Sequence, residues 1–143
     1  MGTDIKRIVA YYVETYKTND PFELADYLKI IVQKGNLGEY SGCYMYLKKH
    51  KCIFLNADLD YVTLKIVMSH ELGHAILHTK TNCCFMKSKT LLVTSKIERQ
   101  ANTFAAELLI SDDMINEYKD FSIGQISGIT GINADLVKLK LGM

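Results

Sequence analysis

The sequence lacks any apolar run that approaches the roughly 20 residues of a membrane-spanning helix, so we expect no membrane segment. It also lacks an excess of charge of either sign, since it has 17 Lys and Arg residues and 16 Asp and Glu residues. The net charge of +1 gives no reason to expect a nucleic-acid or acidic-membrane surface. Residues 1–7 show no signal-peptide pattern, and we expect a cytoplasmic protein. Without internal repeats or linkers, residues 1–143 predict a single domain, with residues 122–141 as a helical C-terminal subregion.

Cys-x-x-Cys pairs are also missing. Cys43 and Cys52 flank a predicted hairpin turn, and Cys83 and Cys84 are adjacent. Neighbouring cysteines rarely bridge each other and cytoplasmic thiols stay reduced, so we expect small, buried, reduced thiols. A second metal site at Cys43, His50 and Cys52 is the alternative, although no Cys-x-x-Cys pair anchors it.

The periodicity of apolar residues and the turn signals predict a mainly helical α+β fold with a small antiparallel sheet. We expect helices at residues 3–17, 21–28, 61–78 and 95–109, and strands at 30–32, 42–47 and 52–55. Residues 79–94 are predicted to be irregular, with a short apolar run at 91–93. Three short helices follow Ser111, the last two on either side of Gly131 and with Asn133 as the second cap.

The most informative motif is His70-Glu71-Leu72-Gly73-His74, within the predicted 61–78 helix. Two histidines four residues apart lie on the same helix face, so both imidazoles can bind one zinc ion. The carboxylate between them can reach a zinc-bound water, which predicts Glu71 as the catalytic base. Gly73 costs a helix interior about 1 kcal/mol relative to Ala, so we expect a close approach of another backbone there.

A third ligand must come from elsewhere, and Glu98 is the best candidate. Ala101 and Ala105 share the face of Glu98, and such small side chains would let the backbone approach the zinc helix closely. Glu107 is the alternative, but it lies about 180° around the helix. We favour a capping or supporting role for His78, at the edge of the site, over a fourth ligand.

The sequence resembles the ImmA/IrrE family of zinc metallopeptidases over most of its length. The resemblance rests on four segments: Asp20-Pro21-Phe22-Glu23-Leu24-Ala25, the strand Ile53-Phe54-Leu55-Asn56, the run from His70 to His78, and Glu98-x-x-Ala101-Asn102-x-Phe104-Ala105-Ala106-Glu107-Leu108-Leu109-Ile110. It implies a zincin-like domain with Zn²⁺ at His70, His74 and Glu98, and Glu71 as general base. It also implies cleavage or inactivation of a regulatory protein, a helix-turn-helix repressor of a phage or mobile element. Ser111 departs from the proline usual in the family, which changes a helix end and not the ligands.

The rival hypothesis is a non-catalytic regulator that keeps the zinc fold and acts by binding a repressor or DNA. The tail at residues 122–141 resembles a helix-turn-helix, but its second helix offers Lys138 and Lys140 as cations, and specific DNA binding usually needs a denser basic face. We therefore expect a protein partner and not DNA. The intact Glu71 favours catalysis, since a protein that only binds has no need of the base.

Overall fold

Seven helices and four strands lie within residues 4–87 and 95–143, the part of the chain described by the computed structural model. In chain order they are α1 (Ile5–Tyr16), α2 (Pro21–Tyr27), β1 (Ile31–Gly35), β2 (Tyr40–Leu47), β3 (His50–Asn56), α3 (Tyr61–Leu77), β4 (Cys83–Met86), α4 (Lys96–Leu109), α5 (Asp112–Glu117), α6 (Ile123–Thr130) and α7 (Ala134–Lys140). The predicted apolar run at residues 91–93 lies outside this description. None of the described helices has the length and apolar character that crossing a membrane requires.

The helices begin at the capping signals of the sequence. Pro21 opens α2 directly after Asp20, whose side chain accepts hydrogen bonds from the first free backbone N–H groups of the helix. Asp60 caps α3 by accepting from the backbone N–H of Thr63, and Ser95 caps α4 in the same manner. The predictions for α2, α3 and α4 are confirmed, and each differs from the observed helix by one residue at one end.

The four strands form one sheet in the order β1-β3-β2-β4. β2 and β3 form the predicted hairpin, which turns at Lys48 and Lys49 with positive φ angles of 49° and 66°. β1 runs parallel to β3, so the prediction of an antiparallel sheet is wrong for this strand. Successive strands alternate in direction here, and β1 pairs with β3 instead of its sequence neighbour β2, which makes that pairing parallel.

β4 lies in the segment predicted to be irregular, so that prediction is wrong for Cys83–Met86. Four residues carry too little alternation to predict a strand, and β4 forms by pairing with β2. The pairing sets Cys84 opposite Cys43, and these two cysteines form a disulfide. The expectation of reduced thiols is therefore wrong for this pair, because sequence distance does not reveal which residues meet across strands. Cys52 and Cys83 are free.

α3 packs against β2, β3 and α4, and its contact with α4 is unusually close at Gly73. A Cβ atom at Gly73 would lie 3.2 Å from both the Cα and the carbonyl oxygen of Ala101, and 3.0 Å from the Cβ of Phe104. The close backbone approach expected at this glycine is confirmed. It brings the histidine face of α3 alongside the first turns of α4.

The end of α4 packs against the tail. An apolar cluster joins it to α6 and α7 through Ala105, Ala106, Leu109, Ile110, Ile126, Ile132, Leu136 and Val137. α6 ends at Gly131, which has a φ of 75°, and Asn133 caps α7, as predicted. Lys140 Nζ lies 2.7 Å from a carboxylate oxygen of Glu107 and 2.8 Å from one of Asp112. Ion pairs thus also fix α7 to α4 and α5.

Candidate metal centre

α3 and α4 bring three potential metal ligands together. The buried rings of His70 and His74 lie one turn apart on α3, and both direct their Nε2 atoms at Glu98 in the first turn of α4. His70 Nε2 is 3.0 Å from one oxygen of Glu98, and His74 Nε2 is 2.8 Å from the other. Two imidazole nitrogens and a carboxylate that face one another are a donor set that suits zinc.

Asn102 fixes the tautomer of His70. The Nδ1 atom of His70 lies 2.6 Å from Asn102 Oδ1. An amide oxygen can only accept a hydrogen bond, so Nδ1 carries the proton and donates it. A carboxylate oxygen of Glu98 accepts from Nε2 at 3.0 Å, so both ring nitrogens donate in the metal-free protein. A metal ion would replace the proton on Nε2 while Nδ1 keeps its own, which is the arrangement that a metal-binding histidine requires.

His74 is oriented by a relay through His78. The Oε1 atom of Gln100 accepts a hydrogen bond from His78 Nε2 at 2.7 Å, so Nδ1 of His78 is free to accept. It lies 3.0 Å from His74 Nδ1, which therefore donates and leaves the Nε2 lone pair of His74 facing Glu98. The backbone N–H of His78 also donates to the carbonyl of His74 and caps α3. The structure thus places His78 against a candidate ligand, and its ring does not take part in the cluster around Glu98.

Three polar atoms in the centre are buried without a hydrogen-bond partner among the residues that the structure describes. They are His74 Nε2 and both carboxylate oxygens of Glu71. His74 Nε2 is close enough to Glu98 Oε1 to form an ion pair. The two groups are not oriented for a hydrogen bond, so Nε2 remains without one. Leaving a buried polar atom unpaired costs about 1–3 kcal/mol, so three in one place indicate a binding site. The residues present therefore fit a zinc ion.

Glu71 stands between the two histidines in the sequence. Its side chain is fully buried and lies next to β2. Burial raises the pKa of Glu71 to about 8, with the charge of Glu98 acting in the same direction and that of His70 opposing it. Gly42 leaves room for this carboxylate, since a Cβ there would lie 3.2 Å from Glu71 Oε2 and 2.7 Å from a methyl of Val67. A carboxyl group that titrates near neutral pH can both accept and return a proton.

Glu98 has the opposite electrostatic character. Burial alone would raise the pKa of Glu98, but its contacts with His70 and His74 hold it well below the usual range. An anionic carboxylate is the form that binds a metal. Glu107, the alternative, is not brought to this site, because its carboxylate pairs with Lys140.

The other potential metal group proposed from the sequence does not assemble. Among the described residues, the potential ligands that cluster within 4.8 Å form two groups that share His74: His70, Glu71 and His74 are one, and His74, Cys83 and Glu98 are the other. Cys43 is bonded to Cys84, and His50 is exposed at the start of β3. The site at Cys43, His50 and Cys52 is therefore not supported.

Three residues at or beside the centre, Asn102, Gln100 and Cys83, were not predicted from the sequence to act there. Asn102 could have been found, because it follows Glu98 by one helical turn and a polar residue on that alanine-lined face needs a partner. Gln100 is also a polar residue on α4 that needs a partner, but its position in the sequence indicates that partner less clearly. Cys83 carried none, because its position depends on a strand that the pattern did not predict.

The profile of the IrrE N-terminal-like domain family, Peptidase_M78, matches residues 25–122 of the chain. The chain is 43% identical over 141 residues to a protein of Bacillus phage phi105 named "Uncharacterized immunity region protein 2", with 96% of this chain and 89% of the phage protein covered. It is 30% identical over 141 residues to the protein named "Metallopeptidase ImmA" of Bacillus subtilis (strain 168), with 96% and 83% of the two chains covered.

Proposed function

Because this chain belongs to the IrrE N-terminal-like peptidase family, we propose that it is a zinc-dependent endopeptidase. His70, His74 and Glu98 hold the Zn²⁺ ion, Glu71 is the general base, and His78 supports His74. The buried carboxylate of Glu71, which lies beside the three ligands and has no hydrogen-bond partner in residues 4–87 and 95–143, carries this proposal. A structural zinc site would not need such a group, since it gains nothing from a buried carboxyl without a hydrogen bond.

The chemistry divides between the ion and Glu71. When bound, zinc supplies a Lewis acid that acidifies water and polarises the scissile carbonyl group. Glu71 takes the proton from the water that attacks this carbonyl, and then gives it to the departing amine. Burial raises the pKa of Glu71 to about 8 in the metal-free protein, and the charge of a bound cation would lower that pKa toward the anionic form that a general base needs. Asn102 and His78 keep the two imidazoles in the tautomer that binds.

The substrate that we propose is a regulatory protein inside the cell, a helix-turn-helix repressor of a phage or mobile element. The names of the two relatives, an immunity region protein and ImmA, support a role in the control of phage immunity. The tail is a weak candidate for DNA binding, because the side chain of Lys140, one of the two cations of α7, is only 5% exposed and pairs with Glu107. We assign the tail to packing against α4 and α5.

The test combines metal content with cleavage of a purified helix-turn-helix repressor as the candidate substrate. We expect the purified protein to contain about one zinc ion per chain and the His70→Ala variant to lose it. Glu71→Gln is isosteric and should keep the zinc but stop cleavage. Glu117→Gln changes an exposed glutamate and is the matched control, which should keep both. If Glu71→Gln inactivates the repressor as well as the unaltered protein does, the protein acts by binding and the peptidase proposal fails.

A further inference from the structure

We propose that the thiol of Cys83 is a fourth ligand of the metal ion and keeps the peptidase latent by occupying the coordination position that water needs. This inference rests on the proposed zinc site, and it adds a ligand that the His-Glu-x-x-His pattern does not contain.

The sheet places Cys83 over the centre. In β4, Cys83 and Phe85 point to the same face, because alternate residues of a strand do so. Phe85 is buried, and its ring centroid lies 4.9 Å from that of His70, so this face is the one that covers the candidate ligands. Sγ of Cys83 and the ligand atoms of His74 and Glu98 all lie within 4.8 Å of one another.

Small movements would complete a coordination sphere from these atoms. Zinc binds Cys sulfur at about 2.3 Å and His nitrogen at about 2.0–2.1 Å in a tetrahedron, which sets its donor atoms roughly 3.5 Å apart. Since Sγ lies within 4.8 Å of the ligand atoms of His74 and Glu98, a movement of about an ångström, within the range of a side-chain rotation, would bring it to coordination distance of an ion that these two residues hold. Independently of the cysteine, the buried Nε2 atom of His74 lacks a hydrogen-bond partner among the described residues and faces the same point.

The adjacent cysteines have different roles in this arrangement. Cys84 points away from the centre and is bonded to Cys43, which ties β4 to β2. Cys83 is free and half-buried, and its Sγ lies 3.6 Å from the carbonyl oxygen of Thr81, which is a weak hydrogen bond. The disulfide therefore holds the strand in register while leaving the neighbouring thiol available to a metal.

Binding by Cys83 would change the state of the enzyme. The S–H bond breaks as the sulfur–metal bond forms, and the proton passes to solvent. Four protein ligands make the closed arrangement of a structural zinc site, whereas catalysis needs one position open to water. Cleavage would then begin only after the sulfur has left the metal, and Glu71 would have no water to activate before that.

Cobalt(II) is the probe that separates this inference from the proposed function. The full chain loaded with Co²⁺ should show visible d–d bands and a near-ultraviolet thiolate-to-cobalt charge-transfer band. Cys83→Ser should lose the charge-transfer band and keep the d–d bands. Cys52→Ser is the matched control, because Cys52 is also a free cysteine, and it should keep both. His70→Ala should lose the visible bands, which tests the metal centre itself.

A second measurement needs no substitution. Zn²⁺ should slow the alkylation of Cys83, located by peptide mapping, at least about tenfold relative to protein stripped with a chelator, since a coordinated sulfur is not a free nucleophile. A charge-transfer band that persists in Cys83→Ser, or equal alkylation with and without zinc, overturns the inference while the metal centre stands. Failure of the unaltered chain to bind cobalt at all would overturn both proposals.

Discussion

Replacing Gly73 with alanine tests how closely α3 must approach α4. In a free helix this change would stabilise the protein, because alanine is favoured over glycine by about 1 kcal/mol in a helix interior. Here the new methyl group would lie 3.2 Å from two backbone atoms of Ala101 and 3.0 Å from the Cβ of Phe104. Backbone atoms cannot rotate away, so we expect an overpacking cost toward the upper end of about 1–3 kcal/mol.

The net expectation for Gly73→Ala is a loss of about 1–2 kcal/mol in the free energy of unfolding, measured from the midpoint of a urea titration. Gly128→Ala is the matched control. Gly128 lies within α6, and a Cβ there would meet no atom within 4 Å, so this variant should gain about 0.5–1 kcal/mol. Both urea titrations are done in the presence of a metal chelator, so that zinc binding does not add to the free energy of unfolding.

The two variants should move in opposite directions. If Gly73→Ala is as stable as the unaltered protein while Gly128→Ala gains the expected amount, the helices can separate without cost and the close contact does not hold them. In the expected case the separated helices also carry Glu98 away from His70 and His74. Zinc affinity should therefore fall in Gly73→Ala and stay unchanged in Gly128→Ala.

Three further outcomes follow from the buried polar groups. Burial raises the pKa of Glu71 from its ordinary value of 4.5 to about 8. Between these pH values the folded metal-free protein holds a proton that the unfolded chain has released, so the free energy of unfolding should fall as pH rises through this range. Urea titrations of metal-free Glu71→Gln should show less of this fall, and equal slopes would contradict it. Asn102→Ala should weaken zinc binding about 10–100-fold in a competition titration with a chelator, and unchanged affinity would show that His70 needs no orienting partner. Lys140→Ala breaks a buried ion pair and should lower the free energy of unfolding by about 3 kcal/mol, whereas the exposed Lys138→Ala should stay within about 0.5 kcal/mol, and a similar effect of both would refute the contrast.

The helices and the candidate ligands were predictable because their signals are local. Asp20, Asp60 and Ser95 each stand directly before the helix that they cap, and a cap acts on residues within one turn. His70 and His74 are related by helical spacing alone. Glu98 required one further step, the small residues on its face, which indicated that another helix passes close by.

The sheet order and β4 were not predictable from the same signals. Whether β1 pairs with β2 or with β3 depends on which edge of the β2–β3 hairpin is free. The sequence of Ile31–Gly35 does not indicate which edge that is. The Cys43–Cys84 bond has the same origin, since it follows from the β2–β4 register over a sequence separation of 41 residues. A strand as short as β4 is specified by its neighbour more than by its own residues.

The direction of the polar contacts separates this centre from an ordinary buried network. A structural network gains stability by satisfying each buried polar atom, because an unpaired one costs more than a made hydrogen bond returns. Here the outer nitrogens have neutral partners, since Nδ1 of His70 bonds Asn102 and Nδ1 of His74 bonds His78. On the inner side Nε2 of His70 bonds the carboxylate of Glu98, while Nε2 of His74 and the oxygens of Glu71 have no hydrogen bond to any residue that the structure describes. A fold that orients its histidines while leaving Nε2 of His74 and the Glu71 carboxylate without hydrogen bonds among the described residues gains stability from a group that binds there, and a metal ion with a reacting water is what those atoms match.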